Sequence, residues 1–413
     1  MPLQVILPTI GSSGDVNPVI GLGLALKARG HRITVATNAY FRDQVEDHGL
    51  GFVELGTRAE ADEIMGDPDL WHPIRGFGCV VRRAVLPNIS RLYAIIAERR
   101  GPSSVVAATT LCLGARLAQE RLGVPTASLH LQPTVFRSPA DSGRLGFLDL
   151  GPHVPALVKR LFFQLVDAAY VDRLIGPRLN AIRAELGLGP VSHIFRDYIH
   201  SPELVLGLFP DWFAPPQPGW PAHTFLTGFV LHDEEHRELT PEAEQFLGAG
   251  PAPLLVTAGS AATDRDAFFS RTVAACASMG LRAMLVTNHP RQLPASLPPG
   301  VAAFPYLPFS RVLPRCSAIV HHGGIGTLAQ AVRAGTPQLI VPNSHDQPDN
   351  GQRIERLGLG IWMGPLRYRR GAARALEQLL ASREIRERCA AFAPRVDGRR
   401  SVGLACDLIE GLA

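Results

Sequence analysis

The strongest constraint on the fold is an alternation of short β-branched runs with helical segments. In the N-terminal half, strand-like runs and helical patterns take turns along the chain, at residues 4–8, 32–37, 52–55, 105–109 and 126–131 for the strands. Strands that alternate with helices pair in parallel, because each crossover helix returns the chain to the same end of the sheet. The first half is therefore predicted to form a Rossmann-like sheet.

The alternation then starts again. Strand-like runs at residues 253–258, 282–287, 317–321 and 337–341 are each followed by a helical pattern. An acidic stretch at 233–244 separates the two series, and Thr240-Pro241 is typical of a helix N-cap and first position.

We expect an α/β chain with two Rossmann-like domains that face each other across a cleft. Open parallel sheets bind ligands at the carboxyl ends of their strands. The domain organisation that we predict is an N-terminal domain at 1–228, a linker at 229–250, a C-terminal domain at 251–395 and a C-terminal helix at 396–413.

Composition excludes several classes of protein. The 413 residues carry 41 basic and 37 acidic side chains, for a net charge of +4, and the basic ones are scattered. This argues against a nucleic-acid partner. The six cysteines form no metal-binding or paired spacing, and no apolar stretch reaches the roughly 18 residues of a membrane span. We expect free thiols, no metal site and a cytoplasmic location.

A glycine-rich turn follows the third strand of the second series. His321 and His322 precede Gly323-Gly324-Ile325-Gly326-Thr327, which opens a helix. Glycines let a ligand approach the backbone, and a helix N-terminus favours an anion such as a diphosphate. A purely structural connection between strand and helix stays open as the alternative.

A second polar pair follows the next strand. Asp346 and Gln347 combine a carboxylate with an amide, which suits two adjacent sugar hydroxyls. The alternative is that Asp346 caps the helix N-terminus.

The loop after the first strand reads Gly11-Ser12-Ser13-Gly14-Asp15-Val16-Asn17-Pro18. Pro18 suits the first position of a helix, which makes Asn17 the N-cap and leaves Asp15 free for chemistry. Ser12 and Ser13 are candidates for acceptor contacts, and a structural carboxylate is the alternative for Asp15.

Two apolar segments are candidates for an acceptor pocket. Residues 82–100 and 155–174, the second containing Phe162, carry apolar side chains at helical spacing, for which core packing is the alternative. The Gly/Pro-rich segment 133–155, with Phe136, is predicted to be a mobile lid over an apolar acceptor.

Several of these motifs occur together in one order. The motifs from Tyr306-Leu307-Pro308 through the glycine turn, Ala334-Gly335-Thr336-Pro337-Gln338 and His345-Asp346-Gln347 resemble the donor signature of the UDP-glycosyltransferase superfamily. The resemblance implies the GT-B fold, a nucleotide-sugar donor in the C-terminal half, inverting transfer, no cofactor and no essential metal. The Asp-x-Asp triplets at 67–69 and 264–266 are interpreted as structural carboxylates.

The resemblance assigns a role to each matched position. It implies that Asp15 is the acceptor base, as in the bacterial branch, whose loop pattern this chain shares. On the donor side it places Tyr306 at the nucleobase, Asp346 and Gln347 at the sugar, and the following residues at the diphosphate: Ser260, His322, Gly324, Gly326 and Thr327.

A narrower resemblance involves other segments. Residues 41–43, 65–71, 200–202 and 208–217 resemble the rhamnosyltransferases of rhamnolipid synthesis. That resemblance implies dTDP-L-rhamnose as donor and a 3-(3-hydroxyalkanoyloxy)alkanoate lipid as acceptor. Peripheral contact with the inner membrane and association with the lipid-precursor synthase accompany this hypothesis.

Two other functions stay open at this point. One is a UDP-glucose-dependent glucosyltransferase of an apolar lipid or natural product. The other is a nucleotide-sugar-binding subunit without activity, or an epimerase of the same fold.

Overall fold

The computed structural model divides the chain into two compact units. Unit 1 comprises Met1–Val230 with Gly398–Ala413, and unit 2 comprises Leu231–Asp397. The residues that the structure describes are 2–141, 143–145, 148–151, 153–232, 238–259 and 266–413.

Unit 1 contains a seven-stranded sheet, a two-stranded hairpin and nine α-helices within the described residues. The strands are β1 Gln4–Pro8, β2 Arg32–Thr37, β3 Gly51–Glu54, β4 Ser104–Thr109, β5 Thr126–His130, β6 Arg144–Leu145, β7 Leu148–Asp149, β8 Leu204–Gly207 and β9 Thr224–Leu226. The helices that precede unit 2 are α1 Ser13–Ala28, α2 Arg42–Asp47, α3 Arg58–Met65, α4 Gly76–Val80, α5 Asn88–Arg99, α6 Leu113–Leu122, α7 Ala156–Val166 and α8 Asp172–Glu185.

Unit 2 contains a six-stranded parallel sheet. Its strands are β10 Leu254–Thr257, β11 Ala283–Val286, β12 Val301–Phe304, β13 Ala318–His321, β14 Gln338–Ile340 and β15 Gly360–Trp362. Its helices are α9 Pro241–Gly248, α10 Asp266–Met279, α11 Phe309–Val312, α12 Ile325–Arg333, α13 Gln347–Arg356, α14 Pro365–Ala381 and α15 Arg383–Phe392, after which α16 Gly398–Glu410 returns to unit 1.

Both main sheets are wound in two directions from a central pair of strands. In unit 1 the order is β3-β2-β1-β4-β5-β8-β9, and in unit 2 it is β12-β11-β10-β13-β14-β15. All pairings in the two sheets are parallel, with Gln4 opposite Ser104 and Leu254 opposite Ala318 at the two centres. The winding reverses between β1 and β4 and between β10 and β13, and a crevice for a ligand opens at such points.

The predicted α/β class and the two Rossmann-like sheets are confirmed. The central strands are buried, which is why they read as nearly continuous apolar runs. Helix α9 begins at Pro241 with Thr240 as its N-cap, as predicted. Strands β6, β7, β8, β9, β12 and β15 were not predicted.

The predicted start of the first helix was wrong. Helix α1 begins at Ser13, and Ser12, rather than Asn17, is the N-cap. Asp15 is the third residue of the helix, and its side chain accepts a hydrogen bond from the Ser12 backbone in a capping box. Pro18 therefore lies inside the helix, and the carboxylate predicted to be free is part of the cap.

The C-terminal helix α16 packs on unit 1 through ion pairs at the end of α1. Arg29 contacts Asp407 at 2.6 Å and Glu410 at 2.8 Å, and His31 Nε2 lies 2.7 Å from Glu410. Among the described residues, no helix is long and apolar enough to cross a membrane. The cysteines are free thiols, and all except Cys316 are buried.

Part of the segment 82–100 packs in the core, which is the alternative that we gave to an acceptor pocket. Ile89, Leu92 and Ile96 on α5 are at most 1% exposed and belong to the core of unit 1. Helices α5 and α6 approach closely at Gly114, where an added Cβ would overlap the Ile89 carbonyl oxygen and lie 2.8 Å from the Leu92 Cβ. Only glycine permits this helix contact.

Replacing Gly114 with Ala should lower the free energy of unfolding by about 1–3 kcal/mol, because the two helices must move apart. Urea unfolding followed by circular dichroism measures the change. Gly403→Ala on α16 is the matched control, since its nearest non-local atom would be 3.9 Å away. Equal destabilisation in both variants would show that the close helix contact is not the cause.

Candidate active site

The crevice of unit 1 is lined by the loops that follow β1 and β4. Thr109 Oγ1 donates to Thr9 Oγ1 across the two strand ends at 3.3 Å. Asp15, in the first turn of α1 after the first of these loops, accepts hydrogen bonds at Oδ2 from the Ser12 backbone N–H at 2.8 Å and the Ser12 hydroxyl at 3.4 Å. The structure thus places a carboxylate at the point where the sheet reverses its winding.

Burial controls the acidity of this carboxylate. Desolvation raises the pKa of Asp15 to about 6, and the two hydrogen bonds from Ser12 oppose the rise. A Cβ at Gly11, whose φ is +152°, would overlap the Asp15 carboxylate, so glycine is required for the side chain to fold back. With a pKa near 6, Asp15 is mostly ionised at pH 7 and still basic enough to accept a proton.

The neighbouring serines have different surroundings. Ser12 is committed to the capping box, and Ser13 is partly exposed at the first position of α1. Their contacts with an acceptor stay predictions.

His130, the last residue of β5, forms a buried pair with His200, which the sequence analysis did not identify. His130 Nε2 lies 2.9 Å from His200 Nδ1, and His130 Nδ1 lies 2.9 Å from the hydroxyl of Thr110. Burial holds the pKa of His130 well below its ordinary value and lowers the pKa of His200 to about 4. Both rings are therefore neutral. Through them, Thr110, which directly follows β4, is connected to the interior of unit 1. Their positions near strand ends were the available sequence signal.

The aromatic candidates for acceptor contacts lie in different environments. Phe136 is 5% exposed and stacks on Trp220 with ring centroids 4.2 Å apart. Its ring is thus packed inside unit 1, which does not fit the mobile lid predicted for this residue. Phe162 is partly buried on α7 beside Phe163. Residues 142, 146, 147 and 152 of the predicted lid lie outside the described residues.

The crevice of unit 2 is organised by His321, at the end of β13. Its Nδ1 accepts a hydrogen bond from the Gly323 N–H at 3.1 Å, and its Nε2 lies 2.9 Å from Gln338 Oε1 on β14. Burial lowers the pKa of His321 to about 4, so the ring is neutral and donates through Nε2–H. This residue fixes the glycine turn to the sheet.

His322 lies between two glycines. A Cβ at Gly259, after β10, would be 2.8 Å from the His322 ring, and a Cβ at Gly324 would overlap it. Gly259 also has a φ of +88°. The two central strands of the sheet thus bring Gly259 and His322 together at the reversal point.

Helix α12 starts directly after this turn. The N-cap of α12 is Gly324, which has no side chain that could hydrogen-bond to the N–H groups of the first turn. Gly326 faces open space and Thr327 is partly exposed in the same first turn. The uncapped N–H groups and the helix dipole favour an anionic ligand.

The polar pair after β14 is joined to the same turn. Asp346 occupies the N-cap position of α13, but its side chain makes no capping bond, so the capping alternative was wrong. Instead, Asp346 Oδ2 accepts a hydrogen bond of 2.6 Å from Asn350 Nδ2, which also donates to the Gly323 carbonyl at 3.0 Å. Asn350, which sequence reasoning left without a role, ties the two donor-side loops together.

The side-chain oxygen of Gln347 is already hydrogen-bonded to the backbone. Its Oε1 accepts hydrogen bonds from the backbone N–H groups of Asn343 at 2.8 Å and Ser344 at 3.3 Å. His345, just before the pair, has a φ of +59°, a strained conformation that such sites tolerate. The amide nitrogen of Gln347 makes no hydrogen bond within the described part of the chain.

The other predicted positions are Tyr306, Ser260 and the two Asp-x-Asp triplets. Tyr306, after β12, is 39% exposed, which suits a ring that stacks on a ligand. Ser260, Asp264 and the side chain of Asp266 lie outside the described residues. In the other acidic triplet, Asp67 pairs with Arg83 at 2.7 Å and Asp69 with Arg75 at 3.0 Å.

Comparison with known families covers both units. Residues 5–136 match the glycosyltransferase family 28 N-terminal domain, and residues 275–397 match the C-terminal domain of erythromycin biosynthesis protein CIII-like proteins.

Two characterised relatives align with most of the chain. The O-mycaminosyltylonolide 6-deoxyallosyltransferase of Streptomyces fradiae is 28% identical over 99% of this chain and 97% of its own. Glycosyltransferase GtfE of Amycolatopsis orientalis is 30% identical over 87% of this chain and 85% of its own.

Solved structures show the same fold. The kitacinnamycin glycosyltransferase superposes with a TM-score of 0.74 at 20% identity, over 100% of this chain and 99% of its own. The spinosyn rhamnosyltransferase SpnG, in complex with thymidine diphosphate, has a TM-score of 0.67 at 18% identity and 96% coverage of each chain.

The family matches, the relatives and the two wound sheets agree on one class of protein. The chain belongs to the same family as GtfE: it is a GT-B glycosyltransferase that uses a nucleotide-sugar donor.

Proposed function

We propose that this enzyme transfers a 6-deoxyhexose, L-rhamnose in the first instance, from a dTDP-sugar to a hydroxyl of an apolar acceptor. The observation that carries the transfer chemistry is Asp15, a carboxylate of raised pKa at the reversal point of unit 1. The donor is supported by the rhamnosyltransferase-like segments of the sequence and by the names of two relatives, a 6-deoxyallosyltransferase and a rhamnosyltransferase with thymidine diphosphate. The acceptor that we favour is a 3-(3-hydroxyalkanoyloxy)alkanoate lipid.

The acceptor is activated by proton transfer. Asp15 accepts the proton of the acceptor hydroxyl while that oxygen attacks the anomeric carbon of the donor. The bond from the anomeric carbon to the β-phosphate oxygen breaks, with an oxocarbenium-like transition state and inversion at that carbon. The ionised fraction of Asp15 therefore controls the rate.

Negative charge grows on the leaving diphosphate as this bond breaks. The first turn of α12 provides backbone N–H groups to which its N-cap, Gly324, makes no side-chain hydrogen bond, and His322 lies between Gly259 and Gly324. A fixed donor at a developing charge is worth roughly 3 kcal/mol in other enzymes. Asp346, held by Asn350, and Gln347 are assigned to the hydroxyls of the sugar.

The donor and acceptor are tested by a matched screen. Purified enzyme is given dTDP-L-rhamnose or UDP-glucose with the hydroxyalkanoyloxyalkanoate lipid or a macrolide aglycone, and products are measured by mass spectrometry. We expect rhamnosylated lipid as the main product. Consumption of UDP-glucose in place of dTDP-L-rhamnose would reject the donor, and transfer to the macrolide alone would reject the acceptor.

Asp15→Asn should lower kcat by about 10²–10⁴-fold, the usual contribution of a general base, while the affinity for thymidine diphosphate is retained. In the wild type, kcat/KM should rise with pH through about 6, because the folded-state pKa is raised and only the ionised carboxylate accepts a proton. Asp43→Asn on α2 serves as the matched control. Near-normal turnover of Asp15→Asn would remove this residue from the role of base.

His322→Ala should raise the Kd for thymidine diphosphate about tenfold, since a hydrogen bond to a charged group contributes about 1.5–3 kcal/mol. Isothermal titration calorimetry measures the affinity. His48→Ala, in unit 1, controls for the loss of an imidazole. An unchanged Kd in His322→Ala would place the diphosphate elsewhere.

A further inference from the structure

Helix α7 turns its apolar face outward. Leu157 is 65% exposed, Val158 50%, Leu161 56% and Leu165 67%, whereas Lys159 on the same helix is only 3% exposed. Leu157, Leu161 and Leu165 are four residues apart, so they form one stripe along the helix. An ordinary surface helix shows the opposite arrangement.

A polar network explains why the inner face is fixed. Asp167, just after α7, forms an ion pair of 3.1 Å with Arg137, and both side chains are at most 10% exposed. The Arg137 guanidinium also lies 5.3 Å from the centre of the Phe163 ring. Phe163 and Asp167 hold the helix in this orientation. The leucine stripe therefore cannot turn towards the core of unit 1.

Three exposed arginines lie on the helical run that contains this stripe. Arg160, Arg173 and Arg178 are exposed, and none of them forms an ion pair within the described residues. Two acidic side chains of this helical run, Asp167 and Asp172, are held by partners, whereas Glu185 at the end of α8 is exposed. Asp167 pairs with Arg137, and Asp172 accepts hydrogen bonds from the backbone N–H groups of His193 and Ile194. Helix α7 thus combines exposed leucines with the uncompensated positive charge of Arg160.

We infer that α7 docks on an anionic phospholipid surface, with the leucine stripe in the interfacial layer and Arg160 at the headgroups. Helices of this kind lie in the plane of the interface, and basic side chains beside the apolar face bind anionic lipids. With 11 residues, α7 is about 16 Å long, which suits this position. This inference rests on the surface of α7 alone, so it does not depend on which acceptor the enzyme uses.

The charge pattern favours lipid over a second copy of the chain. In a symmetric dimer the same patch faces itself, so Arg160 of each copy would be brought towards its own counterpart. Anionic headgroups neutralise this side chain instead. A self-association surface would need acidic partners, and the sequence of α7 contains none.

The test is flotation of the full chain with equimolar phosphatidylcholine and phosphatidylglycerol vesicles, compared with vesicles of phosphatidylcholine alone. We expect the wild type to float with the anionic vesicles. Leu161→Asp should lower the bound-to-free ratio by about tenfold or more, because it removes several buried carbon groups from the lipid. Arg160→Glu should lower binding to the anionic vesicles as well.

Leu404→Asp on α16 is the matched control, since Leu404 is 41% exposed in the same unit and should leave binding unchanged. The thermal midpoint and the affinity for thymidine diphosphate of each variant show that folding and the donor site are intact. These two readouts separate failure of this inference from failure of the proposed function.

Absence of wild-type binding, or equal loss in Leu161→Asp and Leu404→Asp, would overturn the inference. So would a dimer in light scattering that Leu161→Asp dissociates while no vesicle binding is seen, because the stripe would then cover a second copy.

Discussion

The reversal of winding at the centre of each sheet is the constraint on which the rest depends. Between β1 and β4, and between β10 and β13, successive crossover helices leave for opposite sides, so the loops at these strand ends stand apart and form a crevice. The chain places a carboxylate with raised pKa in one crevice and an uncapped helix N-terminus in the other. The fold thus places the carboxylate of raised pKa and this helix N-terminus in different units.

Burial shifts the pKa values of the key residues in opposite directions in the two crevices. At Asp15 it makes the carboxylate more basic, which suits proton transfer near neutral pH. At His321 it keeps the imidazole neutral, so that one nitrogen accepts from the glycine turn and the other donates to Gln338. The first effect changes the acidity of a carboxylate, and the second fixes the conformation of the glycine turn. A charged His321 would lose its acceptor nitrogen and with it the hydrogen bond that holds Gly323.

Local pattern predicted the strands well and the contacts between loops poorly. Strands β1 and β2 were predicted to the residue, because a buried parallel strand has a distinct composition. The start of α1 was wrong because the Pro18 signal was given more weight than the capping box of Ser12 and Asp15. The role of Asn350 depends on how β13 and β14 pair, which local sequence does not specify. Helical periodicity identified an apolar face on α7, but the Arg137–Asp167 pair decides where it points.

The division of labour between the two units is the central claim. Hydrogen–deuterium exchange of the whole chain, with and without thymidine diphosphate, tests it most directly. The account predicts slower exchange of the backbone amides at residues 323–327 and 343–350, and little change in the amides around Asp15. Protection confined to the loop after β1, with none at the start of α12, would contradict it.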